Sequence, residues 1–249
     1  MDPLIVVLIF AGGLLAGIIN AVAGGGSIIT LPLLVFAGLP VAVANGTNRV
    51  AIVFQNIGAV TAFHRGGVKL PAATWALLVP SMAGALLGVR LAVNLDEETL
   101  SRVFGIILLF MLVPILRRSG SRRAPDRKLE LRWWTWPAYF GVGVYGGFIQ
   151  AGVGFLYLAL LAGAQGIDLV RANYIKVFLV LVYTALALAL FAAQGQVAAA
   201  EGAALALGTT GGGWLGARMA IKKGEAWIRA VLVVAVAVSA AKLLGLFPV

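Results

Sequence analysis

Long apolar runs, cut by short polar or glycine-rich breaks, set the pattern of this chain. They cover approximately 4–20, 27–38, 45–63, 70–93 and 99–116. After a polar stretch at 117–133 they resume at approximately 134–150, 154–166, 173–193, 197–220 and 226–247. A helix needs about 20 residues to cross a hydrocarbon core, and three segments in each half meet that length. The remaining two segments of each half form a pair, and the second of each pair is too short to cross comfortably. Each pair meets at glycines: Gly24-Gly25-Gly26 ahead of Ser27, and Gly152-Val153-Gly154. The pattern predicts an all-α polytopic membrane protein of about 8–10 membrane segments. Each half has three long transmembrane helices plus a glycine-broken helical hairpin.

The two halves match without a gap at an offset of 128. Ala23 matches Ala151, Gly26 matches Gly154, Gly38 matches Gly166 and Asn45 matches Asn173. Further on, Phe63 matches Phe191, Gly67 matches Gly195, and Gly84, Gly88 and Arg90 match Gly212, Gly216 and Arg218. A run of matches in one register argues for duplication. The expected organisation is a first repeat over 1–118, a basic linker over 119–133 and a second repeat over 134–249. A broken helix in lipid leaves backbone groups without water, so it persists where it lines a cavity or binds something. Two breaks in equivalent places point to a transporter.

Composition supports lipid as the solvent. The 249 residues are 61% hydrophobic and 11% charged, against about 45–50% and about 25% in soluble domains. The net charge of +10 would suggest nucleic acid on a soluble chain. Here the cations gather in loops and helix ends, so they report topology, and no nucleic-acid partner is expected. The 117–132 loop carries Arg117, Arg118, Arg122, Arg123, Arg127, Lys128 and Arg132 and is expected to be cytoplasmic. Counting spans from it places Asp96-Glu97-Glu98 outside and Arg65, Lys69 and Lys222-Lys223 inside. The Asp96 and Lys222 loops hold equivalent places in the repeat and fall on opposite faces. The repeats are therefore expected to be inverted, with both termini outside. Met1-Asp2-Pro3 lacks the basic start of a signal peptide, so the first run is expected to be retained. Glycine pairs such as Gly13-x-x-x-Gly17 and Gly84-x-x-x-Gly88 give small-residue helix faces. Packing inside the protomer is favoured for them, with a homodimer left open.

Several chemistries are excluded. There is no cysteine, His64 is the single histidine, and neither a metal site nor a nucleophile–base set can be assembled. No enzyme and no cofactor are expected. Gly141-x-Gly143-x-x-Gly146 matches a dinucleotide fingerprint in spelling only, because no strand precedes it. No carboxylate lies deep in an apolar segment, so a carboxylate proton relay has no carrier.

Gly24-Gly25-Gly26-Ser27, Pro32, Gly38 and Ala44-Asn45-Gly46-Thr47-Asn48-Arg49 together resemble the first signature of the TauE/SafE sulfite exporter family, also called TSUP. Gly146-Gly147-Phe148-Ile149-Gln150-Ala151-Gly152-Val153-Gly154, followed by Ala172-Asn173 and Lys176, is similar to its second. The resemblance covers nearly the whole chain. It implies a multi-pass transporter of the bacterial inner (plasma) membrane that exports small sulfur-containing anions such as sulfite or sulfoacetate. A transporter of another small organic anion, or a non-transporting scaffold or receptor, are the alternatives.

A small oxyanion in lipid needs hydrogen-bond donors and positive potential, which helix N-termini supply. The candidate binding residues are therefore Gly24, Gly25, Gly26, Ser27, Gly152 and Gly154 at the breaks. Asn45, Thr47 and Asn48 are expected at the opening of the third segment, with Asn173 at the equivalent place. Arg49 and Lys176 would supply charge. Asn20, Gln55, Gln150 and Tyr183 would add a polar lining within apolar runs. N-capping by Asn45, headgroup contact by the two cations and plain interhelical hydrogen bonds are the structural alternatives.

Overall fold

The computed structural model describes residues 3–23, 25–116 and 129–223. Gly24, most of the basic loop and the 226–247 segment lie outside the described residues. All regular structure among the described residues is helical. In order the elements are α1 (Pro3–Ala23), α2 (Ser27–Phe36), α3 (Val41–Arg65), α4 (Ala73–Asn94), α5 (Glu97–Leu116), α6 (Thr135–Phe148), α7 (Val153–Leu158), α8 (Leu169–Ala193) and α9 (Ala199–Lys223). A π-helical segment, Ala159–Ala164, extends α7.

Several backbone features recur at an offset of 128. Val41–Arg65 and Leu169–Ala193 differ by 128 at both ends. So do the left-handed glycines Gly38 and Gly166, and Gly67 and Gly195. Each long helix closes with the same end bond: Val68 N–H to Phe63 O at 3.1 Å, and Gln196 N–H to Phe191 O at 2.9 Å. A positive φ at the intervening glycine permits this turn without Cβ strain.

Both equivalent helices also begin on a carboxylate. Asp168 caps α8 by accepting from Val170 N–H at 2.9 Å and Arg171 N–H at 3.3 Å. At the matching position α3 has Pro40, which has no polar side chain. Glu97, from the start of α5, reaches across instead and accepts from Val41 N–H and Ala42 N–H. The first orphan amides of both helices are thus held by an anion.

These boundaries correct one expectation. Asn45 does not open the third segment. Four apolar residues, Val41 to Ala44, precede it as the first turn of α3. The N-terminal amides of that helix face Glu97, so they are unavailable to a ligand at Asn45.

Packing exchanges the halves. α1 runs along α9, α4 runs along α6, and α3 lies against α8. At the offset of 128 seen in the sequence, α6 stands opposite α1 and α9 opposite α4, so each of these pairings joins one half of the chain to the other. Glycines make the close approach. A Cβ on Gly84 would strike Phe140 O, and one on Gly212 would strike Leu14 O. Those glycine faces are thus filled within the chain. At the centre α3 and α8 are antiparallel: Phe63 stacks on Tyr174 at 5.4 Å, while Arg49 at the other end sits over Phe191 at 4.7 Å.

Both broken hairpins return to the face they started from. Ile5, Val6 and Ile9 of α1 pack with Leu33, Leu34 and Leu39 around the end of α2. In the second hairpin Tyr139 donates to Gln165 at 3.0 Å and Gln165 donates to Glu130 O at 3.3 Å. α4 and α8 are long and apolar enough to cross a bilayer. Large apolar side chains face outward, including Val79 at 64% and Phe110 at 68% exposure. That is the surface a lipid solvent allows. Trp133 and Trp136 stand exposed at the start of α6.

Candidate functional site

The two breaks meet. Gly25 of the first packs against the Phe155 ring of the second. Beside that contact lies a cavity of about 40 Å³, room for roughly three waters by the usual measure. Asn20 and Ser27 line it from the first hairpin, and Gln150, Gly152 and Gly154 from the second. Gln55 and Asn56 reach it from α3, and Lys176 from α8.

The second break is built by two left-handed residues, Gln150 with φ 67° and Gly152 with φ 71°. Positive φ is unusual for a glutamine and is held by its partners. Gln150 donates from Nε2 to Thr184 Oγ1 at 2.6 Å and accepts from Arg49 at 3.2 Å. The first break is tied differently: Asn20 Oδ1 accepts from Gly26 N–H at 3.2 Å. That amide is already engaged.

Charge is asymmetric across the site. Arg49, fully buried, does not line the cavity. It donates to Gly147 O at 2.6 Å, to Gly146 O at 3.2 Å and to Asn45 Oδ1 at 3.3 Å, besides Gln150. Those two carbonyls end α6, where the break removes their helical donors. A planar guanidinium with five donors suits that task. Lys176 is 7% exposed and lines the cavity. Among the described residues no ion pair engages it, whereas Arg102 and Glu98 pair on the exposed face of α5.

Of the residues expected from the sequence, Asn20, Ser27, Gln55, Gln150, Gly152, Gly154 and Lys176 line the cavity. Gly25 and Gly26 support it from behind, with a Cβ on Gly26 meeting Asn20 and Ala16. Asn45 instead bonds Phe148 O at 2.6 Å. Thr47 accepts from Ala198 N–H at 2.9 Å, and Asn48 accepts from Thr30 at 2.5 Å. Tyr183 and Asn173 are absent from the lining, and each keeps a buried oxygen without a protein partner. Ile52, Val153, Val177 and Val180 complete the wall. Their signal was helical spacing: Ile52 precedes Gln55 and Asn56 by three and four positions, and Val180 follows Lys176 by four.

A family profile described as sulfite exporter TauE/SafE matches residues 9–243. The chain belongs to this family. It is 28% identical over 251 residues to the probable membrane transporter protein YfcA of Escherichia coli K12, covering 98% of this chain and 91% of that one. A probable membrane transporter protein of Haemophilus influenzae is 28% identical over 234 residues, covering 91% and 89%. Another, ORF9 of a Sinorhizobium species, is 28% identical over 244 residues, covering 95% and 91%. No solved structure matches significantly. The chain is thus a helical membrane transporter of the TauE/SafE family, and the family points to transport rather than catalysis.

Proposed function

We propose that the chain exports a small sulfur-containing anion, sulfite or an organosulfonate such as sulfoacetate, across the bacterial inner membrane. The observation that carries this reading is Lys176: a buried cation with no carboxylate partner among the described residues, in a small cavity where two helix breaks converge. An intramembrane charge is costly unless a partner arrives, and an anion is that partner. Ser27, Asn56 and Gln150 offer polar groups around it. The cavity volume favours a compact ion over a large organic acid.

Alternating access follows from the pairing. Two inverted repeats would rock about the α3–α8 contact, exposing the cavity to one face and then the other. The antiparallel course of these equivalent helices supports inversion. An inside-negative potential favours outward movement of an anion by about 2.3 kcal/mol per charge per 100 mV. With the basic linker cytoplasmic, single cysteines at Asp96 and Lys222 label from opposite faces; labelling from one face rejects the inversion.

The deciding experiment is efflux from vesicles holding purified protein and loaded with sulfite, sulfoacetate or acetate. Wild type releases the sulfur anions. Lys176→Met slows release about a hundredfold, the loss expected for a buried charge partner worth roughly 3 kcal/mol. Lys176→Arg keeps part of the flux. If wild type releases acetate alone, the substrate class is a carboxylate. If it releases none of the three, the transport reading of this cavity is wrong.

A further inference from the structure

Charge alone does not separate two kinds of small anion. A sulfonate presents only acceptor oxygens. A hydrogen-bearing anion of equal charge also presents an O–H, which needs an acceptor of its own. Three kinds of fixed acceptor could meet that O–H, and the first two are missing or occupied here. None of the described carboxylates lines the cavity. Glu97 reaches the start of α3, Glu98 pairs with Arg102 and Asp168 caps α8. Carbonyls around the second break are engaged: Phe148 O by Asn45 at 2.6 Å, Gln150 O by Val153 N–H at 3.2 Å, Ala151 O by the Tyr145 hydroxyl and Gly152 O by Phe155 N–H at 3.0 Å. At the first break Gly25 O accepts from Ile28 N–H at 3.1 Å, and Gly26 O from Ile29 N–H at 3.0 Å.

Side-chain amides are the third kind, and two of them are oriented by partners that can only donate. Gly26 N–H holds Asn20 Oδ1 at 3.2 Å, and the Arg49 guanidinium holds Gln150 Oε1 at 3.2 Å. With its oxygen committed, Asn20 has both Nδ2 hydrogens left to give. Gln150 has one left beside its bond to Thr184 at 2.6 Å. Lys176 adds donors and no acceptor. We propose that Asn20 and Gln150 make the cavity donor-only where the two breaks meet, so that it selects oxyanions without an acid proton, sulfonates above all, and rejects hydrogen-bearing anions of the same charge and shape.

Selection of this kind works through an unpaired donor. An O–H brought against Asn20 and Gln150 gives up its water and meets N–H hydrogens in return. A buried donor left without a partner weakens binding by roughly tenfold to a hundredfold. Ser27, Gln55 and Asn56 also line the cavity and have no fixed partner among the described residues. An amide there can turn its oxygen inward, but it then turns its N–H groups away from the anion. The help given to the O–H is offset by the support withdrawn from the charge. Arg49 takes part without touching the ligand. By holding Gln150 Oε1 it keeps that amide from flipping, and the polarity of the second break stays fixed.

This inference rests on the cavity being the transport site, and the test separates the two. Methanesulfonate and methylphosphonate share a tetrahedral outline and, in mildly acidic buffer, a single negative charge. Only methylphosphonate carries an O–H. Each is titrated against purified protein, with the rise in melting temperature read as binding, and each is tested as a competitor of sulfoacetate release from vesicles. In wild type, methanesulfonate is expected to bind and compete at least tenfold more strongly. Asn20→Asp keeps an oxygen for Gly26 N–H and puts a second oxygen in place of Nδ2, so the preference should shrink toward parity. Gln150→Glu makes the same exchange at the second break and decides the matter if Asn20→Asp fails to fold. A merely structural role would weaken both anions together and leave their ratio alone. Methylphosphonate binding as well as methanesulfonate, an unchanged ratio in a folded variant, or no binding of either while sulfoacetate still moves overturns the donor-only site and leaves the transport reading intact. No binding of either anion and no movement of sulfoacetate or sulfite removes the transport reading of the cavity, and this inference with it.

Discussion

Replacing Arg49 separates a clamp from a substrate contact. Its guanidinium holds four acceptors: two carbonyls at the end of α6, the Gln150 side chain in the break and Asn45 on its own helix. It also lies over Phe191. Arg49→Ala leaves the Gly146 and Gly147 carbonyls in a dry core without donors, at about 1–3 kcal/mol each. It also removes the packing of a long side chain. The sum, about 3–5 kcal/mol, matches the loss when one partner of a buried charged network is deleted. For a chain of this size the melting temperature should fall on the order of 10 °C. Arg49→Lys keeps the charge but loses the fork, and should fall about half as far. The assay is thermal unfolding of detergent-purified protein beside flux in vesicles. A clamp predicts that stability and flux fall together, with Arg49→Lys intermediate in both. If Arg49→Ala melts like wild type while flux disappears, the residue serves the anion directly and the reasoning fails.

Gly212→Ala drives a Cβ into Leu14 O at the α1–α9 crossing and should destabilise by roughly 1–3 kcal/mol; an unchanged melting temperature would mean the helices are not so close. Glu97→Ala removes the acceptor from the first amides of α3 and should cost about 1 kcal/mol, read as faster hydrogen exchange over 41–44, while exchange over 169–172 stays as it was. Asp96 accepts from Thr99 N–H at 2.9 Å, which holds its carboxyl below the usual carboxylate range. The resulting stability of the α5 start is present above the unfolded-state value and disappears as pH falls through the lower folded value. Thr99 exchange, corrected for its intrinsic pH dependence, should therefore rise in acid for wild type but not for Asp96→Asn, and parallel curves would contradict this.

The helix breaks and seven of the residues that line the cavity were legible because glycine and polar residues punctuate long apolar runs. The start of α3 was not. Polar residues ordinarily mark helix ends, and Asn45 to Arg49 read as an end because their partners lie far along the chain: Phe148 for Asn45, Ala198 for Thr47, Gly146 and Gly147 for Arg49. For the same reason the sequence offered both cations as anion contacts, whereas the fold lines the cavity with Lys176 and commits Arg49 to the end of α6. Glycine spacing showed which faces of α1 and α4 pack closely. It carried no information on which helix each would meet, because a small-residue face accepts any neighbour of similar shape.

The crossing of α1 with α9 has a consequence for biogenesis. α1 is synthesised well before α9, the helix it packs along. Gly13 and Gly17 must wait in the bilayer, their narrow groove filled by acyl chains, until residues 199–223 are inserted. A chain stopped before α9 is left with that seam open, a mark for membrane proteases. Cutting the gene between 117 and 128 ought then to be tolerated when both pieces are made together, and to yield neither piece when they are made apart.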